Sequence, residues 1–177
     1  MTVSDEALAK AAAGGDGDAF SALISRHYDR LFRFAFRLTG RREDAEDLVQ
    51  DICVVLPTKL RAFRGEARFT TWLYRVAVNA THDRRRRAAA HARAAEGWGE
   101  VELARRAEAD EARVALDWLQ AAMASLPEDL RDTLALTLED GMTHGAAAEV
   151  LGVSEGTVSW RMSEVKKRLR ALKDAEL

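Results

Sequence analysis

This sequence is poor in the residues that usually announce a catalytic or secreted protein. One cysteine and two prolines are spread over 177 residues, and aromatics make up only 7% of them. A lone Cys53 cannot close an intrachain disulfide. Set in the apolar run Ile52-Cys53-Val54-Val55-Leu56, it reads as a small core residue rather than a reactive thiol. No apolar run approaches the roughly 20 residues of a membrane span, and no charged-then-apolar leader opens the chain. A cytoplasmic protein is expected, with no direct membrane insertion. His27, His82, His91 and His144 show no metal-ligand spacing, and no glycine-rich phosphate loop is present. Neither an enzyme active site nor a metal or cofactor is expected.

Charge is plentiful but concealed by its balance. The formal net charge of −2 divides unevenly along the chain. Between Arg61 and Arg93 nine arginines stand against two acids, a balance of +7. From Glu96 to Asp140 twelve acids outnumber four arginines, giving −8, and from Glu155 to Lys173 the balance returns to +4. Two basic segments flanking an acidic one suit a polyanion met at two separated places. Only five of the 27 basic residues are lysine. The arginine fork can donate two hydrogen bonds at once to a phosphate or a base edge.

Strand-like alternation is almost absent, whereas helical periodicity recurs. Asp18 is a candidate cap for a helix whose apolar positions Phe20, Leu23, Ile24, Tyr28, Leu31, Ala35 and Leu38 fall three or four apart, stopping at Thr39-Gly40. A second helix runs from about Glu43, and Pro57 should kink or break it. Phe63–Phe69 reads as a loop, followed by a helix over about 70–87. Between Ala88 and Asp110 the composition shifts to Ala, Arg and Glu around Gly97-Trp98-Gly99, the best linker candidate. Helices resume near 112–124. Ser125-Leu126-Pro127-Glu128 resembles a capping box for a helix reaching Glu139, with two more over about 143–151 and 155–172. The expected fold is all-α, with two small helical domains, residues 1–90 and 112–177, joined by a flexible linker at 91–111.

The strongest motif is Ala146-Ala147-Ala148-Glu149-Val150-Leu151-Gly152-Val153-Ser154-Glu155-Gly156-Thr157-Val158, a helix-turn-helix pattern. Ala148 is small where two helices must approach, Gly152 permits the positive φ that ends the first helix, and Ser154 can cap the second. That second helix has an apolar stripe at Val158, Met162, Val165, Leu169 and Leu172. Its other side carries Ser159, Trp160, Arg161, Ser163, Lys166 and Lys167, a set suited to the edges and phosphates of duplex DNA in the major groove.

The central run from Phe69 to Arg87 also has two faces. Leu73, Val76, Ala77 and Ala80 form the stripe expected to be buried, and Tyr74 is expected to pack in the core. Trp72, Arg75, Asn79 and Arg86 share another side, at spacings of 3, 7 and 14 from the first. An aromatic ring stacks on an unpaired base, Arg binds phosphate, and Asn offers a donor and an acceptor, a combination suited to single-stranded DNA. Arg84 to Arg87 form a candidate phosphate-contacting run. For Trp72, packing in the core is the competing role.

With Asp44-Ala45-Glu46-Asp47-Leu48-Val49-Gln50-Asp51 ahead of it, this helix resembles conserved region 2 of extracytoplasmic-function (ECF) sigma factors. The stretch from Leu126 to Arg170 resembles region 4 of that family, in the family's order. The resemblance implies a promoter-reading subunit of RNA polymerase. It implies that Asp47, Leu48, Val49 and Gln50 meet the clamp coiled coil of the largest polymerase subunit. The loop with Phe63, Arg64 and Phe69 would hold a flipped base of the −10 element, with Trp72 and Asn79 acting around its upstream end. The second helix of the helix-turn-helix would read −35 duplex DNA, and an anti-sigma protein would be a further partner. The chain departs from the family at Glu164, where a base is frequent, and at His144-Gly145-Ala146, where bulkier residues are usual. A stand-alone regulator using the same helix-turn-helix is the alternative; it predicts a dimer on palindromic sites.

Overall fold

The computed structural model describes residues 3–94 and 111–175, and the side chains of all of these but 94 and 111–116. Among them are eight helices and no strand: α1 (Asp5–Ala13), α2 (Gly17–Thr39), α3 (Arg42–Leu60), α4 (Phe69–Ala94), α5 (Glu111–Ser125), α6 (Glu128–Thr137), α7 (His144–Leu151) and α8 (Glu155–Ala175). The first four form one bundle. Leu23, Phe34, Leu48, Ile52, Leu56 and Phe69 lie at its centre. The last four build the smaller helix-turn-helix group around Leu130, Leu136, Ala147, Val158 and Val165. The all-α class with two helical groups is as expected. The linker stretch is helical to Ala94, at the end of α4, and its remainder with Trp98 lies outside the described residues.

Local chemistry explains most boundaries. The cap of α2 is Asp16 rather than Asp18; its carboxylate accepts from the Ala19 N–H at 3.0 Å, and Gly40 ends the helix at φ 76°. Pro57 does not break α3, which continues to Leu60. The proline sits in the last turn on the exposed side, where one lost backbone bond is tolerated. An additional helix, α1, precedes the expected ones. Ser4 caps it, and Asp5 ties it to Arg26 and His27 of α2 at 2.5 and 2.8 Å. The expected capping box at Ser125 is absent. The Ser125 hydroxyl donates to the Ala122 carbonyl, and Pro127 stands at the cap of α6 without a side-chain bond. Arg131 instead reaches back from α6 to donate to the carbonyls of Met123, Ala124 and Leu126. It satisfies the end of α5 from outside that helix.

Two contacts place the groups against one another: α7 packs along α4, and α6 against α2.

Candidate nucleic-acid interface

The helix-turn-helix forms as its residues dictate. Thr143 caps α7 by accepting from the Ala146 N–H at 3.1 Å, and Gly152 closes it at φ 67°. The Ser154 hydroxyl accepts from the Thr157 N–H at 3.1 Å and starts α8. Val158 and Val165 of the apolar stripe are buried, and Met162, Leu169 and Leu172 are half-buried. On the outer side Ser159, Ser163, Lys166 and Lys167 are exposed, and Trp160 keeps 61% of its surface open. An indole that exposed on a folded helix is a feature of recognition surfaces. Ser159 also lies 3.0 Å from His144 Nδ1, so the small α7 start steadies the outer face of α8. Arg161 departs from expectation: it is mostly covered and directed at Asp129 on α6, 3.4 Å away, rather than outward.

In α4 the buried arc is wider than the expected stripe. Leu73, Val76 and Ala77 are buried and Ala80 half-buried, but Tyr74, Val78 and Thr81 are inside as well. The reason is packing on more than one side, by α3 and by α7. Asn79 and Arg86 are left exposed, together with Arg75. Trp72 is half-buried: its ring lies 5.1 Å from that of Phe63 and 5.7 Å from that of Phe69. Phe69 itself is 1% exposed and packs 5.2 Å from the His27 ring. The expectation that Phe69 meets DNA is therefore corrected. It is the buried anchor of an aromatic cluster whose outer members, Phe63 and Trp72, reach the surface. Arg64 is exposed beside Gly65, whose φ of 72° turns the loop.

On α3 a second correction applies. Leu48 and Val49 are 0% and 1% exposed, held in the bundle core, so neither can touch a polymerase surface. Asp47 and Gln50 are exposed and remain available. Periodicity carries this result, since 48, 49, 52 and 56 repeat at helical spacing on the inward face. Val54 and Val55 lie exposed on the same helix. Cys53 is half-buried, and burial raises its thiol pKa, in keeping with a packing role.

The run Arg84–Arg87 divides by direction around the helix. Arg84 faces the α3 carboxylates, with Asp51 at 3.2 Å and Asp47 at 3.4 Å. Arg85 turns to the other group and forks Asp132 at 3.0 and 3.1 Å. Arg86 and Arg87 are exposed, Arg86 pairing with Asp83 one turn back. Only the second half of the run is thus open to phosphate.

Two family models match this chain: Sigma-70 region 2 over residues 23–91 and Sigma-70, region 4 over residues 116–169. The chain belongs to the sigma-70 family. Its relatives place it in the ECF group. It is 37% identical over 178 residues to the ECF RNA polymerase sigma factor SigM of Mycobacterium tuberculosis, covering 96% of this chain and 84% of that protein. It is 33% identical over 183 residues to the RNA polymerase sigma factor CnrH of Cupriavidus metallidurans, covering 98% and 96%. The solved structure of CnrH in complex with the cytosolic domain of CnrY superposes with a TM-score of 0.73 at 30% identity, covering 98% of this chain and 99% of that one. The sigma factor RpoE of Bartonella quintana, solved with the anti-sigma factor NepR, shares the fold at a TM-score of 0.75 and 24% identity, over 89% and 98% of the two chains.

This chain is therefore an alternative sigma factor, which binds RNA polymerase and directs promoter-specific initiation. Matches to both regions in one chain favour this over a stand-alone regulator. No described helix of this sigma factor is long and apolar enough to cross a membrane.

Proposed function

We propose that this sigma factor divides promoter reading between its two groups, residues 1–90 and 112–177. The exposed side of α4, with Trp72, Arg75, Asn79 and Arg86, takes the opened non-template strand of the −10 element. Phe63 and Arg64 on the preceding loop hold a base turned out of the stack. Extruding a base costs a few kcal/mol, which the half-open aromatic cluster can offset by stacking. The outer side of α8, led by Trp160, Ser163, Lys166 and Lys167, enters the major groove of the −35 duplex. Arg161 contributes there only if it leaves Asp129. Asp47 and Gln50, joined by their exposed α3 neighbours, meet the clamp coiled coil of the largest polymerase subunit. Work with polymerase puts the chain in the cytoplasm. An anti-sigma protein is a further partner, by likeness to CnrH, whose solved complex contains the cytosolic domain of CnrY.

The observation that carries the reading is the shared exposed face of Arg75, Asn79 and Arg86 beside a half-open tryptophan. Reconstitution with core RNA polymerase on genomic templates tests it. Promoter-dependent transcripts whose start sites share −35 and −10 sequences are expected; their absence would defeat the proposal.

A further inference from the structure

Helix α1 has no part in the proposed division of promoter reading, yet it reaches the start of α4 by two routes. His27 of α2 is 5% exposed, and a buried imidazole needs a polar partner. That partner is on α1: His27 Nε2 lies 2.8 Å from the Asp5 carboxylate, which also holds Arg26. The His27 ring in turn meets that of Phe69, 5.2 Å away and tilted by 53°. The next residue of α1, Glu6, accepts from the Phe69 N–H at 3.5 Å.

The second route answers a local need. Phe69 begins α4, and the first N–H groups of a helix have no partner within it. Arg68, whose carbonyl accepts the first helical bond, has no side-chain oxygen to cap them. No acid lies in the first turn of α4 either. The carboxylate at the positive end of this 26-residue helix comes from α1 instead.

The loop before α4 does not hold its own shape. Gly65 turns it at φ 72°, and among the described residues the backbone of Arg64, Gly65, Glu66 and Ala67 makes no backbone–backbone hydrogen bond. Its geometry is set at its two ends. Those ends touch: the Phe63 ring stands edge-on to that of Phe69 at 5.8 Å, and both pack on Trp72. Phe69 is thus held by its ring and by its N–H, through consecutive acids of one short helix. A nine-residue helix is not stable alone, so α1 keeps its place by packing, with Ala9 and Ala12 buried.

We infer that Asp5 and Glu6 are positioning residues for base capture. Through His27 and the start of α4 they set the angle at which Phe63 and Trp72 meet the extruded base; this rests on the proposed role of the Phe63–Phe69 loop. Both are anions and repel a phosphate, so their help comes through the aromatic cluster.

The test uses holoenzyme reconstituted from the full chain, on a promoter located by transcript mapping, with each −10 position of the non-template strand altered in turn. Wild type should show one position where a changed base weakens binding most. Glu6→Ala removes an exposed side chain and should leave the fold intact. It should lower base discrimination at that position by about threefold. Asp5→Ala with Glu6→Ala should lower it by about tenfold, the scale of two hydrogen bonds to charged groups. Asp5→Asn with Glu6→Gln keeps both acceptors and should restore most of the discrimination. The losses should vanish when that one position is made abasic, because no base is left to position. Affinity for core polymerase and protection of −35 duplex should stay at the wild-type level, which a general loss of folding would not allow. Unaltered discrimination in the alanine variants, or losses that persist on the abasic template, overturn the positioning role. A wild type with no such position removes the base-holding role of the loop, and the positioning role with it.

Discussion

Arg84 on α4 sets its guanidinium against Asp51 on α3, Nη1 to Oδ2 at 3.2 Å, and the same side chain reaches Asp47 at 3.4 Å and Asp44 at 3.7 Å. One cation thus organises three acids that lie along a single stripe of α3, including Asp47 of the proposed polymerase contact. Arg84→Ala should change stability by less than about 1 kcal/mol, since the network is partly exposed. It should nonetheless weaken core-polymerase binding by a few fold while sparing DNA selectivity. Competition binding of labelled sigma to core polymerase reads this directly, and equal affinities would release Arg84 from that role.

Phe69 anchors the aromatic cluster from inside. Phe69→Ala should cost about 3–5 kcal/mol of unfolding free energy, whereas the less buried Phe63 should cost far less when truncated. Urea denaturation of the two variants separates them. Similar losses would mean that Phe63 is as structural as its neighbour.

Asn79 is exposed on α4 and makes no structural bond of its own among those seen. Asn79→Ala should leave folding and polymerase binding intact and cost about 1–3 kcal/mol at one base position of the −10 element. Affinities of the reconstituted holoenzyme for promoters varied base by base give the answer. A uniform loss over all sequences would indicate packing rather than readout.

In the helix-turn-helix, structure and recognition can be pulled apart. Ser154→Ala removes a cap and should cost about 1 kcal/mol of stability. Trp160→Ala should be nearly neutral in stability yet reduce protection of −35 duplex in footprints of the holoenzyme. Unchanged protection would remove the indole from the interface.

Tyr74 gives a pH prediction. Burial first, and then its hydrogen bond to Glu139, raise its phenol pKa in the folded protein. The neutral form is favoured on folding, so the contribution of Tyr74 is complete below the unfolded value of about 10 and fades at higher pH. Denaturation midpoints followed through alkaline pH should fall more steeply for the wild type than for Tyr74→Phe. Parallel curves would contradict the assignment.

The features legible in the sequence are those set by neighbours along the chain. Gly40, Gly152 and Ser154 mark helix ends through backbone freedom and capping, and each does so in the structure. The recognition helix is legible because its apolar stripe and its polar side alternate at one period. Burial decided from outside an element is harder to read. Leu48 and Val49 belong to an inward-facing repeat, although the family resemblance implies a polymerase contact there. Phe69 begins a helix but points into a core supplied by α2. The capping signal at Ser125 loses to Arg131, a donor from the next helix. Asp132 and Glu139 gave one faint sign: acids adjoining the otherwise apolar run of α6. Their partners lie 50 and 65 residues away in sequence, beyond the reach of any local pattern.

The first helix has a consequence for biosynthesis. Asp5 holds Arg26 and His27, and Glu6 accepts from the Phe69 N–H at 3.5 Å. While the nascent chain emerges, α1 can meet Arg26 and His27 as soon as the start of α2 is made, whereas the contact of Glu6 with the Phe69 N–H waits for the segment that begins α4.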